Sequence, residues 1–167
     1  MVRTLLLMRH AKSDWGDAGL RDHDRPLNAR GEAAAPRMGR LLVERSMVPT
    51  RILLSTAVRA RQTAELVAEA AGVGTENCVS LEDLYLAPPS VLLESIARRG
   101  GDAEILLVVA HNPGIEELVA LLGRHPEAFP TAALAGFRLG IDEWAEAELD
   151  MDAELVGVWR PRELENP

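Results

Sequence analysis

Three blocks of nearly unbroken apolar residues punctuate the chain: Arg3–Met8 (RTLLLM), Arg51–Ser55 (RILLS) and Ala103–Ala110 (AEILLVVA). Such runs mark strands buried on both faces of a sheet. Between them, apolar positions recur at helical spacing. Ala29–Ser46 places Met38, Leu41 and Leu42 together with Arg45, although Pro36 within it should kink or delay a helix. Thr56–Gly72 directs Val58, Leu66 and Val67 inward and stops at Gly72. SVLLESIARRGG predicts a helix capped by Ser90 and ended by Gly100 and Gly101. HNPGIEELVALLG predicts another, with Asn112 as N-cap and Pro113 at the first helical position.

Residues 11–27 are polar, with Gly16, Gly19 and Pro26, and read as a loop; residues 73–89 read as a connection of low regularity. After Pro130 the pattern shifts to short strands, ALAGFRLG, AEAELDM and ELVGVWR, suited to antiparallel pairing at a sheet edge. The order predicts an α/β chain, a three-layer α/β/α sandwich with a mostly parallel sheet. Nothing marks a linker or repeat, so residues 1–167 are expected to form a single domain.

Composition narrows the function. The chain is 47% hydrophobic with a formal net charge of −8, from 26 acidic and 18 basic residues. It has no lysine-rich run, so nucleic acid is an unfavoured partner. No stretch has the length of a membrane span and no signal peptide is evident, which makes a cytoplasmic enzyme or binding domain the expectation. The single cysteine, Cys78, excludes a disulfide framework within the chain.

Against that acidic background, the ends of the three predicted strands are cationic. The first runs into Arg9 and His10, the second into Ser55 and then Arg59, the third into His111 and Asn112. In a parallel sheet these ends share one edge, where ligands bind. Two arginines and two histidines at one edge describe an anion pocket, and phosphate suits it best. Guanidinium forks hold phosphoryl oxygens, a neutral imidazole can attack phosphorus, and a second, protonated imidazole can stabilise the charge. No metal or cofactor is needed for such chemistry. The Walker spacing is absent, and the residue six after Cys78 is Leu84 rather than arginine, which disfavours a cysteine nucleophile.

Four segments resemble the histidine phosphatase (phosphoglycerate mutase-like) superfamily: LLLMRHAKS, RPLNARGEAAA, LLSTAVRARQTAE with Ser55, Arg59, Ala60 and Thr63, and LLVVAHNPGIEELV. They cover about the first 125 residues in order. The short length and the RHAKS form are most similar to the SixA-type phosphohistidine phosphatases. The resemblance implies a phosphoglycerate mutase-like fold, His10 as the phospho-accepting nucleophile, Arg9 and Arg59 on the phosphoryl oxygens, and His111 completing the pocket. Arg25 matches an arginine that small members place near the site, and Asn112 could donate from the helix cap or serve there as a purely structural N-cap. The family's glycine after the nucleophile is Ala11 here, which predicts a backbone conformation suited to alanine.

No motif identifies a general acid; Glu82, Asp83 and Asp14 are the candidates, each also readable as an ordinary loop acid. An imidazole leaves phosphorus without the help an alkoxide needs, which favours phosphohistidine in a protein as substrate. A phosphatase for small phosphoesters such as sugar phosphates, and a phospho-ligand binding module without chemistry, are the alternatives. The expected partner is accordingly a phosphorylated protein or a small phosphorylated metabolite.

Overall fold

A computed structural model describes residues 2–164. Six strands form one sheet: β1 (Arg3–Arg9), β2 (Arg51–Ser55), β3 (Cys78–Leu81), β4 (Ile105–Ala110), β5 (Leu134–Leu139) and β6 (Ala153–Trp159), in the order β3-β2-β4-β1-β5-β6. The β3, β2, β4 and β1 strands run parallel, and only β5 runs against them. Four helices flank the sheet: α1 (Ala29–Glu44), α2 (Val58–Ala71), α3 (Pro89–Arg99) and α4 (Gly114–Gly123). This is the mixed, mostly parallel sandwich of a phosphoglycerate mutase-like fold.

Alternation along the central strands sorts the core into two layers. Leu6, Met8, Ile52, Leu54, Leu107 and Val109 face α1 and α2, where Met38, Leu42 and Val67 meet them. Leu5, Leu7, Leu53, Leu106 and Val108 face α3 and α4, against Leu92, Ile96, Ile115 and Leu118. Each buried leucine or isoleucine contributes about 1.5–3 kcal/mol. Because both faces are covered, the central strands cannot alternate with polar residues, which explains their unbroken apolar runs.

The sequence expectations need four corrections. Pro36 lies inside α1 without delaying it; the helix starts at Ala29, where Asn28 Oδ1 accepts from Gly31 N at 2.9 Å. The bond Pro36 cannot make belongs to the carbonyl of exposed Glu32, which water can satisfy. The connection at 73–89 contains β3, a four-residue strand too short and too exposed to give an apolar run. Ser90 does not cap α3, which begins at Pro89 with Pro88 in the cap position, because proline suits the first helical turn. AEAELDM is not a strand: a 3-10 turn at Trp144–Glu146 covers its start and a further turn its end, the first anchored by the buried Trp144 indole donating to Ala103 O at 2.7 Å. Among the described residues, no helix is long and apolar enough to cross a membrane.

Candidate active site

Register brings the site together. Arg9 pairs with Ala110 across β1 and β4, so His10 and His111 follow at equivalent positions on adjacent strands. Their ring centroids lie 5.2 Å apart. β2, on the other side of β4, ends at Ser55, and the first turn of α2 supplies Arg59. With Arg25 from the loop before α1, these groups surround a cavity of about 240 Å³, also lined by Arg9, Asn112, Trp15 and Asp22. Every residue of the sequence-derived site is therefore at the same strand edge.

The hydrogen bonds fix both imidazole tautomers, since arginine can only donate. His10 donates from Nδ1 to its neighbour Ala11 O (2.7 Å), leaving Nε2 to accept from Arg59 Nε (3.3 Å). His111 donates from Nε2 to Ser55 Oγ (2.7 Å) and accepts at Nδ1 from Arg59 Nη2 (3.3 Å). Arg59 thus joins the two histidines. Burial, with Arg59, Arg9 and Arg25 nearby, pushes the His10 pKa down to about 3. Burial, His10 and Arg59 push His111 down to about 3 as well. Both rings are therefore neutral at pH 7. The protonated second imidazole expected from the sequence is thus not its resting form, and a bound dianion would be needed to favour it.

Supporting contacts hold the His10 turn rigid. Ala11 N donates to Thr63 Oγ1 (2.9 Å), whose hydroxyl donates to Arg59 O (2.6 Å). One side chain therefore aligns the backbone of both elements. Ala11 is fully buried and is not among the residues with positive φ, so alanine replaces the family glycine without strain. Gly31 brings α1 close: a Cβ there would lie 2.2 Å from Lys12 O. At Gly114 a Cβ would lie 1.8 Å from Ala87 O, which ties the turn after His111 to the loop carrying Leu86.

Asp22 is the residue that sequence reasoning missed. It is the one carboxylate among the described residues that line the cavity. Arg59 donates to its carbonyl from Nη1 (2.7 Å) and to Oδ2 from Nη2 (3.0 Å), and Arg25 Nη1 donates to Oδ1 (3.3 Å). The Tyr85 hydroxyl donates to Oδ2 (2.5 Å). That hydrogen bond, with Arg59, holds the Asp22 carboxyl below the usual range. Its position three residues before Arg25 was the available signal, but several other acids crowd the same loop.

Arg25 is buried, donates to Ser13 Oγ, and stacks 3.2 Å from the centroid of the Trp15 ring. Arg9 donates to Phe129 O (3.3 Å), and its Nε is buried without a partner, as is Arg25 Nε. Asn112 lines the cavity but does not cap α4; Pro113 occupies the cap position, and Asn112 Nδ2 donates to Phe129 O (2.9 Å). The three candidate acids fall outside. Glu82 and Asp83 are exposed and do not line the cavity, and exposed Asp14 accepts from Gly16 N within its own turn. His23 is half-buried, with Nε2 2.8 Å from Thr56 Oγ1. Among the described residues, no group of three or more His, Cys, Asp or Glu side chains could hold a metal ion.

The profile of the histidine phosphatase superfamily (branch 1) matches residues 5–86. A structure of the proposed phosphohistidine phosphatase SixA of Agrobacterium tumefaciens superposes with a TM-score of 0.77 at 31% identity, covering 95% of this chain and 99% of that one. The chain belongs to the histidine phosphatase superfamily. Its counterpart from Nakamurella multipartitia gives a TM-score of 0.80 at 29% identity, over 96% of this chain and 97% of the other. An uncharacterized protein of Mycobacterium tuberculosis is 38% identical over 167 residues, 93% of this chain and all of the relative. The Arg9–His10 segment and the Arg59 segment lie inside the matched region; His111 lies beyond it and joins the site through the fold.

Proposed function

We propose that the protein is a metal-independent phosphatase that works through a phosphohistidine intermediate and acts on phosphohistidine in proteins. The observation that carries this reading is the state of His10: a neutral imidazole, its Nδ1–H committed to Ala11 O, and its Nε2 lone pair aimed into a cavity ringed by arginines. A module that only bound phosphate would gain nothing from a neutral ring there.

In the first step His10 Nε2 attacks phosphorus, an N–P bond forms, and the bond to the leaving group breaks. Arg9, Arg59 and Arg25 bind the phosphoryl oxygens with charge-assisted bonds. His111, facing Arg59 through Nδ1, gains a proton as the dianion raises its pKa and shares in the charge. Water then attacks phosphorus, the His10 N–P bond breaks, and inorganic phosphate departs. Asn112 orders the wall beside Phe129.

Two features favour phosphohistidine as substrate. The carboxylate lining the cavity, Asp22, is held ionised by Tyr85 and Arg59, so a proton for an alkoxide is not at hand. An imidazole leaving group has less need of one. The rim also carries two exposed apolar side chains, Trp15 at 71% and Leu86 at 53% exposure, suited to a protein surface rather than to a small polar ester. The SixA proteins of similar fold bear the same assignment.

The test is paired turnover without added metal, offering a phosphohistidine-bearing phosphotransfer protein and a panel of small phosphoesters, with His10→Ala alongside. Release chiefly from the protein, by wild type alone, supports the proposal. Preference for an ester would keep the mechanism and change the substrate, and retained activity in His10→Ala would end the mechanism.

A further inference from the structure

A second and larger cavity, about 620 Å³, opens beside the first and shares Arg9, Lys12 and Thr131 with it. One wall is a single stripe of α1: Arg30, Ala33, Ala34 and Arg37, at the i, i+3, i+4, i+7 spacing of one helix face. The opposite wall is the turn after β6, with Arg160, Arg162 and Glu163. Among the described residues that line the groove, six are cationic and one is a carboxylate, in a chain of net charge −8.

The charges are not all spent internally. Arg160 pairs with Glu127 (2.9 Å) and Glu163 (3.5 Å), and Arg37 donates to Pro161 O (3.3 Å), which ties the turn to α1. Lys12, Arg30 and Arg162 pair with no carboxylate among the described residues. Between the cations, Ala33, Ala34, Pro130 and Pro161 line the groove with methyl and ring surface.

We propose that this groove docks an acidic, extended segment of the protein whose phosphohistidine enters the His10 pocket; the identity of the occupant rests on the protein-phosphatase reading above. Spacing favours a segment over a compact anion. Arg30 and Arg37 are seven residues apart on one helix, about 10.5 Å along its axis. One phosphate or carboxylate cannot touch both. Acidic side chains two to three residues apart on an extended chain are separated by about 7–10 Å and can. The apolar lining receives the backbone and side-chain stems, while the shared Arg9 and Lys12 make the path to the catalytic cavity continuous. The groove supplies binding and steering, strongest at low salt.

The test separates docking from catalysis. A fluorescent, unphosphorylated peptide rich in Asp and Glu is compared with its Asn/Gln counterpart by anisotropy, against wild type and the double variant Arg30→Gln/Arg162→Gln. Both substituted residues are exposed and outside the His10 pocket. We expect the acidic peptide to bind wild type about tenfold more tightly than the amide peptide at low salt, and the double variant to lose most of that preference. Toward an acid-flanked phosphohistidine peptide, kcat/KM should fall about tenfold in the double variant, while turnover of p-nitrophenyl phosphate stays unchanged. Charge-dependent peptide binding with no phosphohistidine turnover would remove the substrate reading and leave the groove as an acidic-segment site. Equal binding of the two peptides overturns the docking proposal, whatever the enzyme hydrolyses. Tight binding of inorganic tripolyphosphate with no peptide binding overturns it too, in favour of a small polyanion.

Discussion

The Nε2 lone pair of His10 faces the Nε–H of Arg59 across 3.3 Å. The atom proposed to attack phosphorus and a cation proposed to hold the phosphoryl group are thus hydrogen-bonded to each other. A phosphoryl group must enter between them, and doing so exchanges one partner of Arg59 for a far more charged one.

Arg59→Ala should lower kcat by about 10²–10³-fold, the scale of removing a preorganised electrostatic donor. It should also move His10 in a defined direction. Arg59 ranks after burial among the causes that depress the His10 pKa, so its loss should raise that pKa toward 6.5. An NMR titration of the imidazole reads this directly; no upward movement would show that Arg59 does not govern His10.

Stability should fall as pH drops below about 6.5 toward 3. His10 and His111 have folded pKa values of about 3, whereas unfolded histidine titrates near 6.5. Within that window the unfolded chain binds more protons than the native one, so protons favour unfolding. Above the window neither state is protonated and the effect vanishes. Each ring contributes a slope of at most about 1.4 kcal/mol per pH unit. The stability from denaturant melts should depend less steeply on pH across this range in His10→Ala than in wild type; identical pH dependence in wild type and in a variant lacking both histidines would exclude the effect.

Thr63→Val should cost about 1–3 kcal/mol, because it strands the buried Ala11 N–H while keeping the side-chain shape. For a chain of this size that amounts to a Tm lower by a few degrees. Turnover should drop as well, since the same hydroxyl aligns Ala11 with Arg59. Thr63→Ser, which restores the hydroxyl, should recover most of both losses.

Asp22→Asn should strengthen inhibition by inorganic phosphate, by about 3–10-fold. Asp22 pairs with Arg59 and Arg25 at 3.0 and 3.3 Å, and an incoming dianion competes with it. The inhibition constant at fixed pH measures this; a weaker one would mean that Asp22 serves to position the guanidiniums rather than to occupy them.

Much of this architecture was legible because burial writes itself into residue type. The β1, β2 and β4 runs are apolar throughout since helices cover both faces, and their ends therefore announced where His10, Arg59 and His111 converge. Four-residue β3 left no such mark, being half-exposed at the sheet edge. The α4 start was misplaced by one residue because Asn-Pro-Gly suits two cap registers equally, and only packing against Ala87 selects one. Asp22 was hidden for a different reason. Its role depends on Tyr85, 63 residues away, and on Arg59, 37 away, relationships no local pattern encodes. The groove was invisible likewise: Arg30 and Arg162 meet only through the fold.

The register of β1 on β4 has a consequence for folding. His10 and His111 lie about a hundred positions apart and meet when Arg9 pairs with Ala110; the pairing of Leu54 with Val109 brings the β2 end, and with it Arg59, to the same edge. A slip of one residue would turn every side chain of the strand to the opposite face. Contacts of such sequence separation form late and are slow to close. No fragment or half-folded intermediate can hold the site, so recovery of activity during refolding should trace the final pairing of the central strands rather than the appearance of helices.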